Sequence, residues 1–442
     1  MSKRKILKLN RIYIDTLGCA KNEYDSQMLA SELEKRGCEM VPSPDLAEIM
    51  IVNTCGFIDD AKKESIERIF ELSEYHDKKL IVTGCLSQRY HDELVKEMPE
   101  VDMFFGVNDY ERIPAIILDD NSEVTDGTTD NEDALPYRTR ILPEGAHSGV
   151  LKIAEGCNNA CSFCAIPAIR GRFRSKKIED CVHEAQDMAD AGISEIILIA
   201  QDTSQYGIDL YGKIMLPELI KKLAAIDGIH WIRLMYVYDN GITDELIDVM
   251  LNEPKVCKYI DIPIQHISDN VLRRMRRRST GASIRECITK LRSRIPDIHI
   301  RTTLLVGFPG ETEEDFAELI DFIDEFKFDR LGAFAFSDEE GTASFEMDGK
   351  LDEDIKRARQ EIVMQHQQAV SEELNENTVG KVYEVLIEED CGNGLYVGRT
   401  QFDAPEIDCD VIVQSDRDIE LGEYINVKII NAYEYDLEGE EV

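Results

Sequence analysis

A chain of 442 residues exceeds what one ordinary hydrophobic core accommodates, so two or three domains are expected. With 88 acidic against 50 basic residues, its formal charge of -38 repels a phosphate backbone, attracts basic partners, and leaves direct RNA contact minor and local. No apolar run approaches the roughly 20 residues of a membrane helix, and Asn10, Arg11 and Asp15 interrupt any signal-peptide core, so a soluble, cytoplasmic chain with reduced cysteines is expected.

Residues 11–15, 48–53 and 80–82 read as strands with amphipathic helices between them. The helix expected over 22–36 puts Met28, Leu29 and Leu33 on one face and stops at Gly37. This βαβαβ alternation predicts a parallel-sheet domain over residues 1–118. Cys19, Cys55 and Cys85 each come just after one of the three strands. The C-terminal ends of parallel strands share one edge, so thiols far apart in sequence converge there. Three thiolates can hold a 4Fe–4S cubane with one iron left open, and Gly18, Gly56 and Gly84 would let backbone approach it closely. Small buried cysteines also end strands for packing alone; agreement at all three strands favours ligation. Cys38, Cys181, Cys257, Cys287, Cys391 and Cys409 share no such pattern and read as packing or surface residues.

From 119 to 142 the composition turns to Asp, Glu, Asn, Thr and Gly, as in a linker. Strands then recur near 149–153, 195–200, 231–237, 259–262, 300–306 and 330–336, which predicts an open or partial (β/α)6 barrel of the TIM type within 143–375. Its reactive groups belong at the C-terminal ends of the strands. Directly after the first of them stand Cys157, Cys161 and Cys164, spaced C-x-x-x-C-x-x-C with Phe163 before the last. Three thiolates on one loop wrap a cubane and leave one iron open, as a catalytic centre requires. A zinc knuckle, or an electron carrier completed by a distant cysteine, is the alternative. Gln201 and Asp202 follow the second strand and His266 the fourth, positions that suit either ligand binding or a loop cap. The basic run 273–278 is either a phosphate contact or a solvated helix face.

A helix over 353–375 leads to short strands at 381–387, 395–399, 411–413 and 424–430, read as a small antiparallel barrel over 376–442. This part carries seventeen Asp or Glu against four Lys or Arg between 379 and 442, which suits a cationic protein better than RNA.

Together these features resemble the methylthiotransferase family of radical S-adenosylmethionine (SAM) enzymes over nearly the whole chain. The cysteine loop is similar to the superfamily's cluster-binding motif; the stretches 166–172, 261–266 and 301–311 add to the likeness. The final barrel would be a TRAM domain. The resemblance implies two 4Fe–4S clusters and SAM. One cluster, on Cys157, Cys161 and Cys164, cleaves SAM to a deoxyadenosyl radical, and the other, on Cys19, Cys55 and Cys85, delivers methylated sulfur. It also implies that Glu195 holds the SAM amino group, although the glycine usual before it is Ser194 here, and that Gln201 and Gly307 line the same site. The stretches 201–207 and 336–342 look like the RimO-type branch, which modifies an aspartate of the twelfth small-subunit ribosomal protein. The expected partners are thus that basic protein and an electron donor. Modification of tRNA adenosine, and a SAM-independent electron-transfer role, remain as alternatives.

Overall fold

The computed structural model describes residues 10–118 and 135–442, so most of the expected 119–142 linker lies outside the described residues. Packing divides the chain into two compact units. The first is drawn from Met1–Leu142, Glu155–Asn159 and Cys164–Arg174, the second from Pro143–Ala154, Ala160–Phe163 and Ser175–Val442.

The first unit is built on a wholly parallel sheet, β1 (Arg11–Thr16), β2 (Glu39–Met40), β3 (Ile49–Thr54), β4 (Lys79–Gly84) and β5 (Met103–Phe104), in the order β2-β1-β3-β4-β5. Helices α1 (Ala20–Glu34), α2 (Asp59–Ser73) and α3 (Cys85–Glu97) make the crossovers, and α4 (Ile113–Leu118) follows β5. Parallel crossovers cover both faces of a sheet, so both faces must be apolar. Along β3, Ile49 and Ile51 join one core with Leu29, Leu33 and Phe105, while Met50 and Val52 join the other with Ile69, Leu72 and Leu94. The expected strands correspond to β1, β3 and β4; β2 and β5, two residues each, are too short to show periodicity. The end of the expected linker lies along α1. Gln27 accepts from Ile141 N–H (3.2 Å) and from Arg140 (2.7 Å), and the Thr139 hydroxyl meets Ser31 (2.9 Å).

After β6 (Ser148–Lys152), two short strands, β7 (Ala154–Glu155) and β8 (Arg174–Ser175), bracket the helix α5 (Ile166–Arg170). The second unit continues with β9 (Glu195–Ile199), β10 (Trp231–Leu234), β11 (Val256–Gln265), β12 (His299–Val306) and β13 (Arg330–Ala335). With β6 they form an open parallel sheet in the order β13-β12-β11-β10-β9-β6, the partial barrel expected from the sequence. Helix Glu353–Glu376 leads into a closed barrel of β14 (Val382–Gly392), β15 (Leu395–Thr400), β16 (Val411–Gln414), β17 (Tyr424–Ala432) and β18 (Leu437–Glu441). Val385, Ile387, Tyr396, Val413, Val427 and Ile429 fill it. The barrel departs from a purely antiparallel one because β16 and β18 pair in parallel. In a closed ring of five strands, directions cannot alternate all the way round, so one parallel pair is unavoidable.

Ion pairs tie this barrel to the open sheet, two buried, Arg399 to Glu195 (2.6 Å) and Arg330 to Asp403 (2.6 Å), and one partly buried, Arg301 to Asp408 (3.2 Å). Among the described residues, no helix is long and apolar enough to cross a membrane.

Candidate functional site

The strands β1, β3 and β4 are neighbours and parallel, so their C-terminal ends make one rim, and Cys19, Cys55 and Cys85 stand on it. Cys19 is the N-cap of α1 and Cys85 the first residue of α3, which turns two helix N-termini toward the sulfurs. Gly18 has φ +95°, and a Cβ there would lie 2.8 Å from Cys55 Cβ and 3.0 Å from its Sγ. At Gly56 a Cβ would lie 2.6 Å from the Leu86 Cα, so glycine at both positions is what lets the cysteine-bearing segments close up.

The three thiols differ in their electrostatic surroundings. Burial pushes the Cys85 thiol up to about 11, with Arg170 opposing and the charges of Cys19 and Cys55 adding to the rise. Burial likewise raises Cys55. Cys19 is exposed at the rim; desolvation by the chain around it acts in the same sense, but Lys21, Arg170 and the N–H groups of Lys21 and Asn22 outweigh it and hold the thiol below its ordinary value. Among the described residues, no three His, Cys, Asp or Glu side chains surround one point closely enough for a single metal ion. A cubane is wider than one ion and spreads its thiolates, so three strand-end thiols in a glycine-lined cradle fit it.

The second cysteine set lies on the loop after β7. The Cys157 amide donates to the Gly171 carbonyl (3.2 Å), and its sulfur accepts the Asn159 N–H (3.4 Å). Cys161 Sγ has Arg277 Nη1 and Tyr238 Oη each at 3.9 Å, and the Arg277 guanidinium lies over the Tyr238 ring at 4.3 Å. Ser162 next to it is held by the carbonyls of Met275 (3.0 Å) and Arg274 (2.8 Å). Arg274 Nε donates to the Pro309 carbonyl at 2.6 Å. The basic run 273–278 is thus divided: Arg273, Arg276 and Arg278 are exposed, the Arg277 side chain is buried against the cysteine loop, and the partly exposed Arg274 side chain bonds the Pro309 carbonyl in the turn after β12 and Asp348. Neither a phosphate contact nor a solvated face describes Arg277.

The expected role of Glu195 requires correction. It opens β9 at the N-terminal end, opposite the edge where the reactive groups gather. Its carboxylate is fully buried and accepts from Arg233 (2.7 Å), Arg399 (2.6 Å) and Ser148 (2.6 Å). It is a fully buried structural anion at the N-terminal end of the strand, away from the edge where a SAM amino group would sit. Gln201 does lie beyond the C-terminal end of β9, half-buried, and Asp202 beside it caps a turn by accepting from the Ser204 N–H (3.1 Å). Gly307 follows β12 with φ +74°, its N–H held by the Glu311 carboxylate at 2.8 Å. His266 follows β11, its Nδ1 accepting from the Ser268 N–H (3.1 Å), and burial lowers its pKa to about 3, so the ring is neutral. Gln201, His266 and Gly307 share the C-terminal edge of the sheet with Cys161. The sequence marks the stretches that hold Arg170, Arg274 and Arg277 but not their contacts, because those partners are distant in the chain and leave no periodic signal.

Family models match residues 11–106 (Uncharacterized protein family UPF0004), 151–323 (Radical SAM superfamily) and 379–442 (TRAM domain). The chain is 46% identical over 437 residues to the ribosomal protein uS12 methylthiotransferase RimO of Clostridioides difficile (strain 630), covering 97% of this chain and 98% of that one. It is 47% identical over 440 residues to the RimO of Caldanaerobacter subterraneus subsp. tengcongensis, covering 98% of this chain and 100% of that one. Among solved structures, the radical SAM methyltransferase TsrM from Kitasatospora setae superposes with a TM-score of 0.55 at 15% identity, covering 73% of this chain and 72% of that one. The cobalamin-dependent SAM radical enzyme OxsB gives 0.53 at 12% identity, covering 82% of this chain and 58% of that one; both likenesses concern the fold alone. Identity at this level over almost the full length places the chain in the RimO family of ribosomal protein uS12 methylthiotransferases, within the radical SAM superfamily.

Proposed function

We propose that this protein replaces a C–H by C–SCH3 on an aspartate of ribosomal protein uS12, using SAM and two 4Fe–4S clusters, in the cytoplasm. Residues 1–118 hold one cluster on Cys19, Cys55 and Cys85, residues 143–375 hold the other on Cys157, Cys161 and Cys164, and residues 376–442 form the third domain. The observation that carries this reading is the convergence of Cys19, Cys55 and Cys85 on one sheet rim in a chain that also bears the C-x-x-x-C-x-x-C loop. When bound, the clusters and SAM supply radical and sulfur chemistry at a carbon too weakly acidic for any side-chain base.

The protein's own groups position and shield. Arg274 and Arg277 fix the cysteine loop over the C-terminal edge of the open sheet. There Gln201 offers a side-chain amide to SAM, and the turn at Gly307 brings backbone close. The acidic surface draws in the basic ribosomal protein, free or on the ribosome, and an external electron donor feeds the clusters.

Anaerobically reconstituted protein, incubated with SAM, a reductant and purified uS12, should add a methylthio group to the ribosomal protein, read by mass spectrometry. A mass gain on tRNA alone overturns the substrate. Absence of deoxyadenosine after reduction with SAM overturns the radical reading in favour of a plain electron carrier.

A further inference from the structure

The Arg170 guanidinium is buried beside Cys85, with the side chain 2% exposed. Nη1 donates to Asp25 (2.7 Å) and Glu155 (3.1 Å); Nη2 donates to Asn22 Oδ1 (2.6 Å) and reaches Cys85 Sγ at 3.4 Å. Asn22 in turn donates to the carbonyls of Leu17 (2.8 Å) and Thr54 (3.0 Å), on the segments that carry Cys19 and Cys55. Asn53 closes the network by donating to the Asn22 carbonyl (2.9 Å) while accepting from the buried Tyr110 hydroxyl (3.1 Å). One arginine is therefore linked, directly or through Asn22, to all three cysteine-bearing segments.

Two carboxylates on one arm of the fork fix the plane of the guanidinium, and that plane aims the other arm at sulfur. Packing alone does not call for such a group, since a buried ion pair is commonly matched or bettered by apolar residues of similar volume. Hydrogen bonds to cluster sulfurs set reduction potentials, and the partners of metal ligands govern metal retention.

We infer that Arg170 is a positioning residue for the cluster on Cys19, Cys55 and Cys85: its second arm donates to the Cys85 sulfur, raises the potential of that cluster and slows its loss. This rests on the proposal that the trio holds a cluster. The donor withdraws charge from one ligand of three, as Arg277 can do more distantly (3.9 Å against 3.4 Å) at Cys161 of the other loop.

The test uses the full chain with Cys157, Cys161 and Cys164 changed to alanine, so that bound iron reports the trio alone. Two variants are compared with this parent after anaerobic reconstitution. Arg170→Lys keeps a cation for Asp25 and Glu155 but lacks the second arm. Arg170→Met with Asp25→Asn removes one charge of each sign, which preserves the local net charge and protects folding. The readouts are the midpoint potential from a redox titration followed by electron paramagnetic resonance, and the rate of iron loss to a ferrous chelator. Both variants should shift the midpoint to more negative potential and lose iron about 10- to 100-fold faster than the parent. An unchanged potential in either folded, iron-loaded variant overturns the inference and leaves Arg170 as a structural ion pair. A parent that binds no iron overturns instead the ligand assignment on which the inference rests.

Discussion

Replacing Glu195 by glutamine separates a structural anion from a SAM ligand. The carboxylate is fully buried and bonded by Arg233, Arg399 and Ser148, so the neutral amide leaves two buried guanidiniums short of an anion. Removing one member of a buried ion pair costs about 3–5 kcal/mol. Arg399 keeps Glu388 (2.7 and 2.8 Å) and Arg233 keeps the Gln401 carbonyl (2.8 Å), which puts the loss at the lower end of that range. A second route agrees. Burial opposes the charge, yet Arg399 and Arg233 hold the carboxyl at about 2 against an ordinary 4.5. That gap, at 1.36 kcal/mol per pH unit, amounts to about 3 kcal/mol. Because the folded value is depressed, this stability is complete above pH 4.5 and drains away as pH falls toward 2. Urea unfolding at pH 7 should show Glu195→Gln less stable by about 3 kcal/mol, and the acid-induced loss between pH 4.5 and 2 should be shallower than in the parent. SAM affinity measured by calorimetry on the folded variant should be unaltered. Lost SAM binding with untouched stability would refute this reasoning and restore the cofactor role.

Iron analysis should find close to eight irons per chain, falling to about four when Cys19, Cys55 and Cys85 are all alanine; unchanged iron removes the first trio from the site. Changing His266 to glutamine should flatten stability against pH. The folded imidazole titrates near 3 against an ordinary 6.5, so only the parent loses stability as pH falls below 6.5, by about 2 kcal/mol at pH 5. Arg277→Ala should speed iron loss from the Cys157, Cys161 and Cys164 loop about tenfold, whereas alanine at Arg273, Arg276 and Arg278 together should leave it unchanged. Gly307→Ala should lower the melting temperature, because φ +74° disfavours a side chain and its Cβ would lie 2.5 Å from Lys356 Cγ; a loss of about 1–2 kcal/mol is expected from the backbone alone.

The parts of the fold legible in the sequence were those written in periodicity. The alternation that marks β1, β3 and β4 also places Cys19, Cys55 and Cys85 at their ends, so the rim could be anticipated without coordinates. Glu195 takes its expected role from the resemblance alone, against the rule that reactive groups gather at the C-terminal ends of barrel strands, since the strand expected over 195–200 starts with it; its pairing with Arg399, two hundred and four positions away, shows what holds it there instead. The contacts of Arg170, Arg274 and Arg277 were hidden for a related reason. A charged residue that reaches a carbonyl or a thiol across the fold looks, in sequence, the same as one that faces water, and its local spacing carries no trace of that distant partner.

The ion pairs between the closed barrel and the open sheet make the last sixty-odd residues a keel. A chain cut just before β14 would leave Arg233, Arg301 and Arg330 without the carbonyl and carboxylate groups of Gln401, Asp408 and Asp403, and Glu195 without Arg399. Such a shortened chain should be less stable, with three guanidiniums and a carboxylate stripped of partners. The two sides of the barrel thus carry different demands: changes at Arg399, Asp403 or Asp408 take counter-charges from the open sheet, whereas changes on the strand faces turned away from it leave those pairs intact.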